Sequence, residues 1–201
     1  MEEMPKPSIA KLSIEHDPST FDCGHKALNK FIRLYALPSQ RANIAQTYVA
    51  VVGPTIVGYH SLVVGDMAYD DAPERLAKGL PRHPVPILLL ARLAVDRTWQ
   101  GKGLGAALVA DAMRRTLQVA DIAGVRALLV HAKDETAQNF YSHLGFEPCP
   151  GEPLILYRLL KDLRAMSKGL PAAGRATLND VEKIGIRWRC LFGRGEQIVG
   201  F

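Results

Sequence analysis

The chain has 201 residues, 48% of them hydrophobic and 22% charged, which suits one domain with a full core, or one domain plus an appendage, and is a globular rather than a disordered composition. Its net charge of +5 sits in residues 158–201, with nine Lys/Arg against four Asp/Glu, while residues 1–157 balance at sixteen of each. Net charge alone therefore makes no case for nucleic-acid binding by the main body, although residues 75–126 carry nine bases against three acids and imply a polarised surface. No apolar run approaches the ~20 residues that span a bilayer. The start MEEMPKPS lacks the apolar stretch of a secretory signal. The cysteines Cys23, Cys149 and Cys190 show neither CxxC spacing nor a histidine cluster, so no disulfide framework and no metal site is expected. A cytoplasmic protein is the expectation.

In chain order, SIAKLSI (8–14) reads as a short edge strand. CGHKALNKFIRLYA follows with apolar residues at 27, 28, 31, 32, 34 and 35, a helical period, with Asp22 or Gly24 near its start. QTYVAVV and TIVGYHSLVVGDM are β-rich runs separated by Gly53-Pro54, a hairpin signal. YDDAPERLAKGLPRHPVP is polar and proline-broken, a loop or a short surface helix, and ILLLARLAV is a strand buried on both faces. A helix from about 103 to 123 comes next, then the buried strand GVRALLVHA. DETAQNFYSHLG is a helix capped by Asp134 and ended by Gly145, and LILYRLL is a last strand. This order predicts an α/β domain with a mixed central sheet flanked by helices, antiparallel in its first half and built on a parallel βαβ crossover in its second. The domain is expected to span 1–164, with 165–201 a flexible or loosely packed extension.

The turn between ILLLARLAV and the long helix, VDRTWQGKGLG, holds Gly101, Gly103 and Gly105. A helix start presents unpaired N–H groups and a partial positive charge, so it attracts phosphate, and glycines let the phosphate approach. The spacing is neither G-x-G-x-x-G nor a Walker loop, which disfavours dinucleotide and NTP binding. A plain tight turn remains an equal reading of the glycines alone.

The surrounding residues resemble motif A of the GNAT acyltransferases, Gln/Arg-x-x-Gly-x-Gly/Ala, matched by Gln100, Gly103 and Gly105, and NFYSHLGF resembles the end of motif B. The resemblance covers roughly residues 8–160. It implies the GNAT fold and acetyl-CoA as co-substrate. Pyrophosphate would lie on Gln100, Gly101, Lys102, Gly103, Leu104, Gly105 and Ala106, and the pantetheine arm along the main chain near Leu93 and Val95. Asn139 and Tyr141 would stand at the thiol end, Tyr141 as the catalytic acid. ILLLARLAVDRTWQGKGLGAALVADAMRR, GVRALLVHA and FDCGHKALNKFI look like the GNAT toxins of bacterial toxin–antitoxin pairs. Such toxins acetylate the α-amino group of aminoacyl-tRNA, block translation, form homodimers and are held by a ribbon-helix-helix antitoxin.

Each site residue has a plainer reading beside this one. Tyr141 lies beside Phe140 and could simply pack. Asn139 could serve the helix, and His131, ending a buried strand, reads better as a core histidine than as a base. Lys26, Lys30 and Arg33 form a basic helix face that is either solvated surface or a tRNA contact, and Arg92 inside an apolar strand is either ion-paired or a phosphate contact. An ordinary acetyltransferase for a small amine or a protein amino group, and a non-catalytic nucleic-acid-binding module, are the alternatives.

Overall fold

The computed structural model describes residues 6–167, and all structural statements refer to these; the expected extension beyond Ser167, with Cys190, lies outside them. Seven strands form one sheet: β1 (Ser8–Lys11), β2 (Gln46–Val52), β3 (Thr55–Met67), β4 (Val85–Val95), β5 (Ala127–His131), β6 (Glu147–Cys149) and β7 (Glu152–Leu159), in the order β1-β2-β3-β4-β5-β7-β6. β4 and β5 are the parallel pair, joined by the long helix α4; every other neighbouring pair is antiparallel. The helices are α1 (Lys26–Lys30), continued by a π-helical turn (Phe31–Tyr35), α2 (Ala36–Arg41), α3 (Glu74–Ala77), α4 (Leu104–Ala120), α5 (Glu135–His143) and α6 (Leu160–Ser167). The mixed α/β sheet flanked by helices is thus present. No described helix is long and apolar enough to cross a membrane.

Helix α2 carries the first helical stretch past its expected end at Ala36 to Arg41, and two later elements were not anticipated. β6 is three residues with a proline at its centre, too short to show alternation and confined by that proline to a sheet edge. It turns back through Gly151 into β7, which therefore runs antiparallel to β5. Helix α6 continues directly from β7 and crosses the expected domain boundary at 164. Conversely, α4 ends at Ala120, short of the expected 123, and Ile122 beyond it is 89% exposed.

The core lies on both sheet faces. Leu104, Leu108 and Ala112 of α4 and Tyr141 of α5 pack with Leu88, Leu90, Leu93 and Val95 of β4 on one side. Phe21, Leu28, Phe31 and Ile32 pack on Val49, Tyr59 and Ala94 on the other. On β4 the residues facing α4 are even-numbered up to Leu90 and odd-numbered from Leu93. A strand alternates with period two, so one residue is extra. The β3–β4 register identifies it: Leu62 pairs Leu90 and Ser61 pairs Arg92, leaving Ala91 as a bulge.

Candidate acyl-transfer site

The bulge coincides with an opening in the sheet. The β4–β5 ladder runs from Ile87–Ala127 to Leu90–Val130 and stops, while β4 continues to Val95. Among the described residues the β5-facing edge of β4 beyond Ala91 has no strand partner. Leu93 and Val95 stand there, paired on their other side with His60 and Gly58 of β3, and both side chains are buried. What they offer to the opening is main chain. Unpaired backbone groups require a polar partner, and an extended amide-bearing arm can supply one.

From Val95 the chain enters the glycine turn. Asp96 caps a 3-10 turn (Arg97–Trp99), its Oδ1 accepting from the Thr98 amide at 2.9 Å and the Thr98 hydroxyl at 2.7 Å. Gly101 and Gly103 have φ of 70° and 81°, and Gly103 is the residue from which α4 starts. That left-handed conformation strains any residue with a Cβ, so the glycines are required before any ligand is considered. A Cβ on Gly101 would meet nothing within 4 Å, so space is open over the turn. Leu104 and Ala106 turn their side chains into the core, leaving the amides of the first turn of α4 as what this end can present to an anion. Lys102 is exposed, its Nζ 5.4 Å from the Trp99 ring centroid.

Gln100 does something the motif does not state. Its side-chain Nε2 donates to the carbonyl of Val95 at 3.0 Å and of Cys23 at 3.3 Å, tying the turn to the end of β4 and to the segment before α1. Further bonds reinforce that tie: the Asp22 amide donates to Asp96 Oδ2 at 2.9 Å and the Arg97 amide to the Asp22 carbonyl at 2.9 Å. Asp22 does not cap α1, whose first flanking residue is His25 with no side-chain cap bond. Its Oδ1 instead accepts from the Gly24 amide at 2.9 Å and Asn29 Nδ2 at 2.7 Å. Those bonds hold its carboxyl below the usual carboxylate range. Asp22, Asn29 and Asp96 were not singled out as site residues. The Asp-x-Thr spacing at 96–98 carries a local turn signal, but the bonds to residues 22–23 link positions more than 70 apart in sequence.

Helix α5 begins as expected, the Asp134 carboxylate accepting from the Ala137 amide at 2.8 Å. Tyr141 is fully buried, its ring edge-on to Phe140 (centroids 5.1 Å apart) and Phe146 (5.6 Å). Its hydroxyl is buried without a hydrogen-bond partner among the described residues. Burial pushes the phenol well above its ordinary value, so it is a neutral proton donor at physiological pH. Asn139 is exposed, and its carbonyl lies 2.6 Å from His143 Nδ1. His131 is exposed; the core role expected of it is corrected, because β5 ends at that residue.

The basic residues divide. Lys26 and Lys30 are exposed on α1. Arg33, in the π-helical turn, donates to the Phe21 carbonyl at 2.6 Å and the Pro18 carbonyl at 3.3 Å, so its head is engaged in holding that segment. Arg92 lies 3.9 Å over the Phe31 ring rather than in an ion pair.

A protein-family comparison matches residues 43–148 to the acetyltransferase (GNAT) domain. The tRNA-acetylating toxin of Mycobacterium tuberculosis is 41% identical over 156 residues, 78% of this chain and 93% of that protein. Among solved structures, AtaT complexed with acetyl-methionyl-tRNAfMet superposes with a TM-score of 0.74 at 30% identity, covering 80% of this chain and 98% of AtaT. A mutant AtaT toxin bound to the C-terminus of the antitoxin AtaR and acetyl-CoA gives 0.68 at 32% identity, covering 81% and 98%. The chain belongs to the GNAT acetyltransferases. Their acetyl donor, acetyl-CoA, fits what is present: an unpaired strand edge for the pantetheine amides, a glycine-rich helix start for the pyrophosphate, and an unpartnered buried hydroxyl. No His/Cys/Asp/Glu group able to hold a metal occurs among the described residues.

Proposed function

We propose that this chain is a toxin that transfers acetyl from acetyl-CoA to the α-amino group of aminoacyl-tRNA and so blocks translation. The observation that carries the donor half is the β5-facing edge of β4 beyond Ala91, which has no strand partner among the described residues and leads straight into the left-handed glycines before α4. The acceptor half is supported by the 41% identical relative named a tRNA-acetylating toxin and by the AtaT complex with acetyl-methionyl-tRNAfMet.

Bound acetyl-CoA supplies an acetyl group on a thioester. The chain supplies position and a proton. Main chain at Leu93 and Val95 and the amides at residues 100–106 orient the donor, Asn139 meets the pantetheine, and the Tyr141 hydroxyl gives its proton to sulfur as the C–S bond breaks. An α-amino group has an ordinary pKa of about 7.7–8.0 and an ester neighbour lowers it, so enough is neutral to attack without a dedicated base. It forms the C–N bond, loses its extra proton to water, and Tyr141 is reprotonated from solvent. Lys26 and Lys30 meet tRNA phosphate; Arg33 and Arg92 shape the same face through Phe21 and Phe31. An antitoxin restrains the protein, a reading supported by the AtaT–AtaR complex; on the family resemblance that antitoxin is a ribbon-helix-helix protein and the toxin a cytoplasmic homodimer.

Incubation with radiolabelled acetyl-CoA and bulk tRNA, charged or stripped of amino acid, tests this. Label should enter charged tRNA alone. Label in stripped tRNA, or in neither, contradicts it.

A further inference from the structure

A polar cluster lies inside the α4 side of the core, away from the opening between β4 and β5. Asp111, midway along α4, is 1% exposed, and His60 of β3 is fully buried. His60 Nε2 lies 2.8 Å from Asp111 Oδ2, Arg115 Nε donates to the same oxygen at 2.6 Å, and Arg114 donates to Oδ1. Tyr48 of β2 stacks on the His60 ring with centroids 5.2 Å apart, and the Arg115 guanidinium sits 3.4 Å from the Tyr48 ring centroid. Burial alone would raise the Asp111 carboxyl, but the bonds from His60 and Arg115 outweigh it and hold it ionised; burial keeps His60 neutral. Nε2–H therefore donates to Asp111, and Nδ1 stays buried without a partner.

A buried polar pair is a poor way to gain stability, because desolvation offsets most of its attraction. Unlike apolar packing, it has direction. The other close α4–β3 approach is apolar: a Cβ on Gly58 would stand 3.0 Å from Leu108 Cδ1 and 3.2 Å from Leu104 Cδ2. That surface presses the helix close but carries no mark of where along the strand it should sit. Gly58 and His60 are also the cross-strand partners of Val95 and Leu93. Asp111 lies seven residues, about 10 Å of helix, from Leu104. A slip of one residue would move the start of α4 by about 1.5 Å and turn it by about 100°.

We infer that His60 and Asp111 are positioning residues for acetyl-CoA: their hydrogen bond fixes the register of α4 on β3. It thereby sets the spacing between the amides at the start of α4 and the main chain at Leu93 and Val95. This rests on the acetyltransferase reading above.

The test replaces His60 by Phe, which keeps the stack on Tyr48 and removes the donor, by Gln, which restores an N–H near Nε2, and Asp111 by Leu, which keeps the branched shape and removes the acceptor. CoA binding is measured by calorimetry, and steady-state transfer is measured with acetyl-CoA and with S-acetyl-pantetheine, which lacks the pyrophosphate. His60→Phe and Asp111→Leu should weaken CoA binding and raise the acetyl-CoA KM about ten- to hundredfold. Their kcat and their KM for S-acetyl-pantetheine should stay within about threefold of wild type, and His60→Gln should recover most of the loss. Equal losses with both donors, unchanged CoA affinity, or failure of both variants to fold would overturn the inference. Wild-type protein that binds no CoA would instead sink the acetyltransferase reading.

Discussion

Changing Tyr141 to Phe deletes one oxygen and keeps the ring between Phe140 and Phe146. That oxygen is buried without a partner, a state that costs about 1–3 kcal/mol. Its removal should leave the fold at least as stable, with Tm rising about 2–4 °C for each kcal/mol regained in a chain of this size. As the proton donor to the leaving sulfur, the same oxygen accounts for about 10²–10³ in rate, or about 2.7–4 kcal/mol of barrier. The variant should therefore be more stable and far less active. CoA affinity should hold, since the strand edge and the glycine turn are untouched. Scanning calorimetry, CoA titration and single-turnover transfer to charged tRNA at saturating acetyl-CoA measure the three quantities. Transfer within a few-fold of wild type would remove Tyr141 from the chemistry, and a fall in Tm would show that its hydroxyl has a structural partner.

Gly103→Val puts a branched side chain at φ 81°, directly where phosphate would approach the α4 amides. The folded variant should lose CoA affinity by at least about tenfold, and calorimetric affinity equal to wild type would refute the phosphate site. Replacing Lys26 and Lys30 by Ala should weaken charged-tRNA binding and lower its log–log salt slope by about 1–2; an unchanged slope places tRNA elsewhere. His60 is held neutral when folded but takes a proton near its ordinary value of about 6.5 when unfolded. The unfolded state thus binds more protons in acid, and stability should fall as pH drops below about 6.5, by at most about 1.4 kcal/mol per pH unit from this group. Urea midpoints from pH 5 to 8 should show that slope in wild type and a shallower one in His60→Gln; identical profiles would count against a neutral buried His60.

Local signals reached far into this fold, and their failures have a common cause. The runs QTYVAVV and TIVGYHSLVVGDM coincide with β2 and β3, because a β-rich composition and a Gly-Pro turn are written in adjacent residues. Asp134 capping α5 and the glycine turn before α4 were legible for the same reason. The bulge at Ala91 was not, since an extra residue shows only against the register of β3 and the end of the β5 ladder. Nor was the His60–Asp111 pair, whose members are 51 positions apart; read locally, Asp111 is one polar residue on an amphipathic helix. Arg33 looked like part of a basic face through helical spacing, and its attachment to Phe21 and Pro18 depends on how the loop before α1 folds back.

The central claim is that acetyl lands on the α-amino nitrogen of an amino acid esterified to tRNA. Charged tRNA treated with the protein and acetyl-CoA can be digested with a ribonuclease that releases the terminal aminoacyl-adenosine, and that fragment sequenced by tandem mass spectrometry. The account predicts one added acetyl group, carried on the α-nitrogen, in wild type, formed about 10²–10³ more slowly by Tyr141→Phe. Acetyl found on the nucleobase, the ribose or an amino-acid side chain, or an unmodified fragment from wild type, would contradict it.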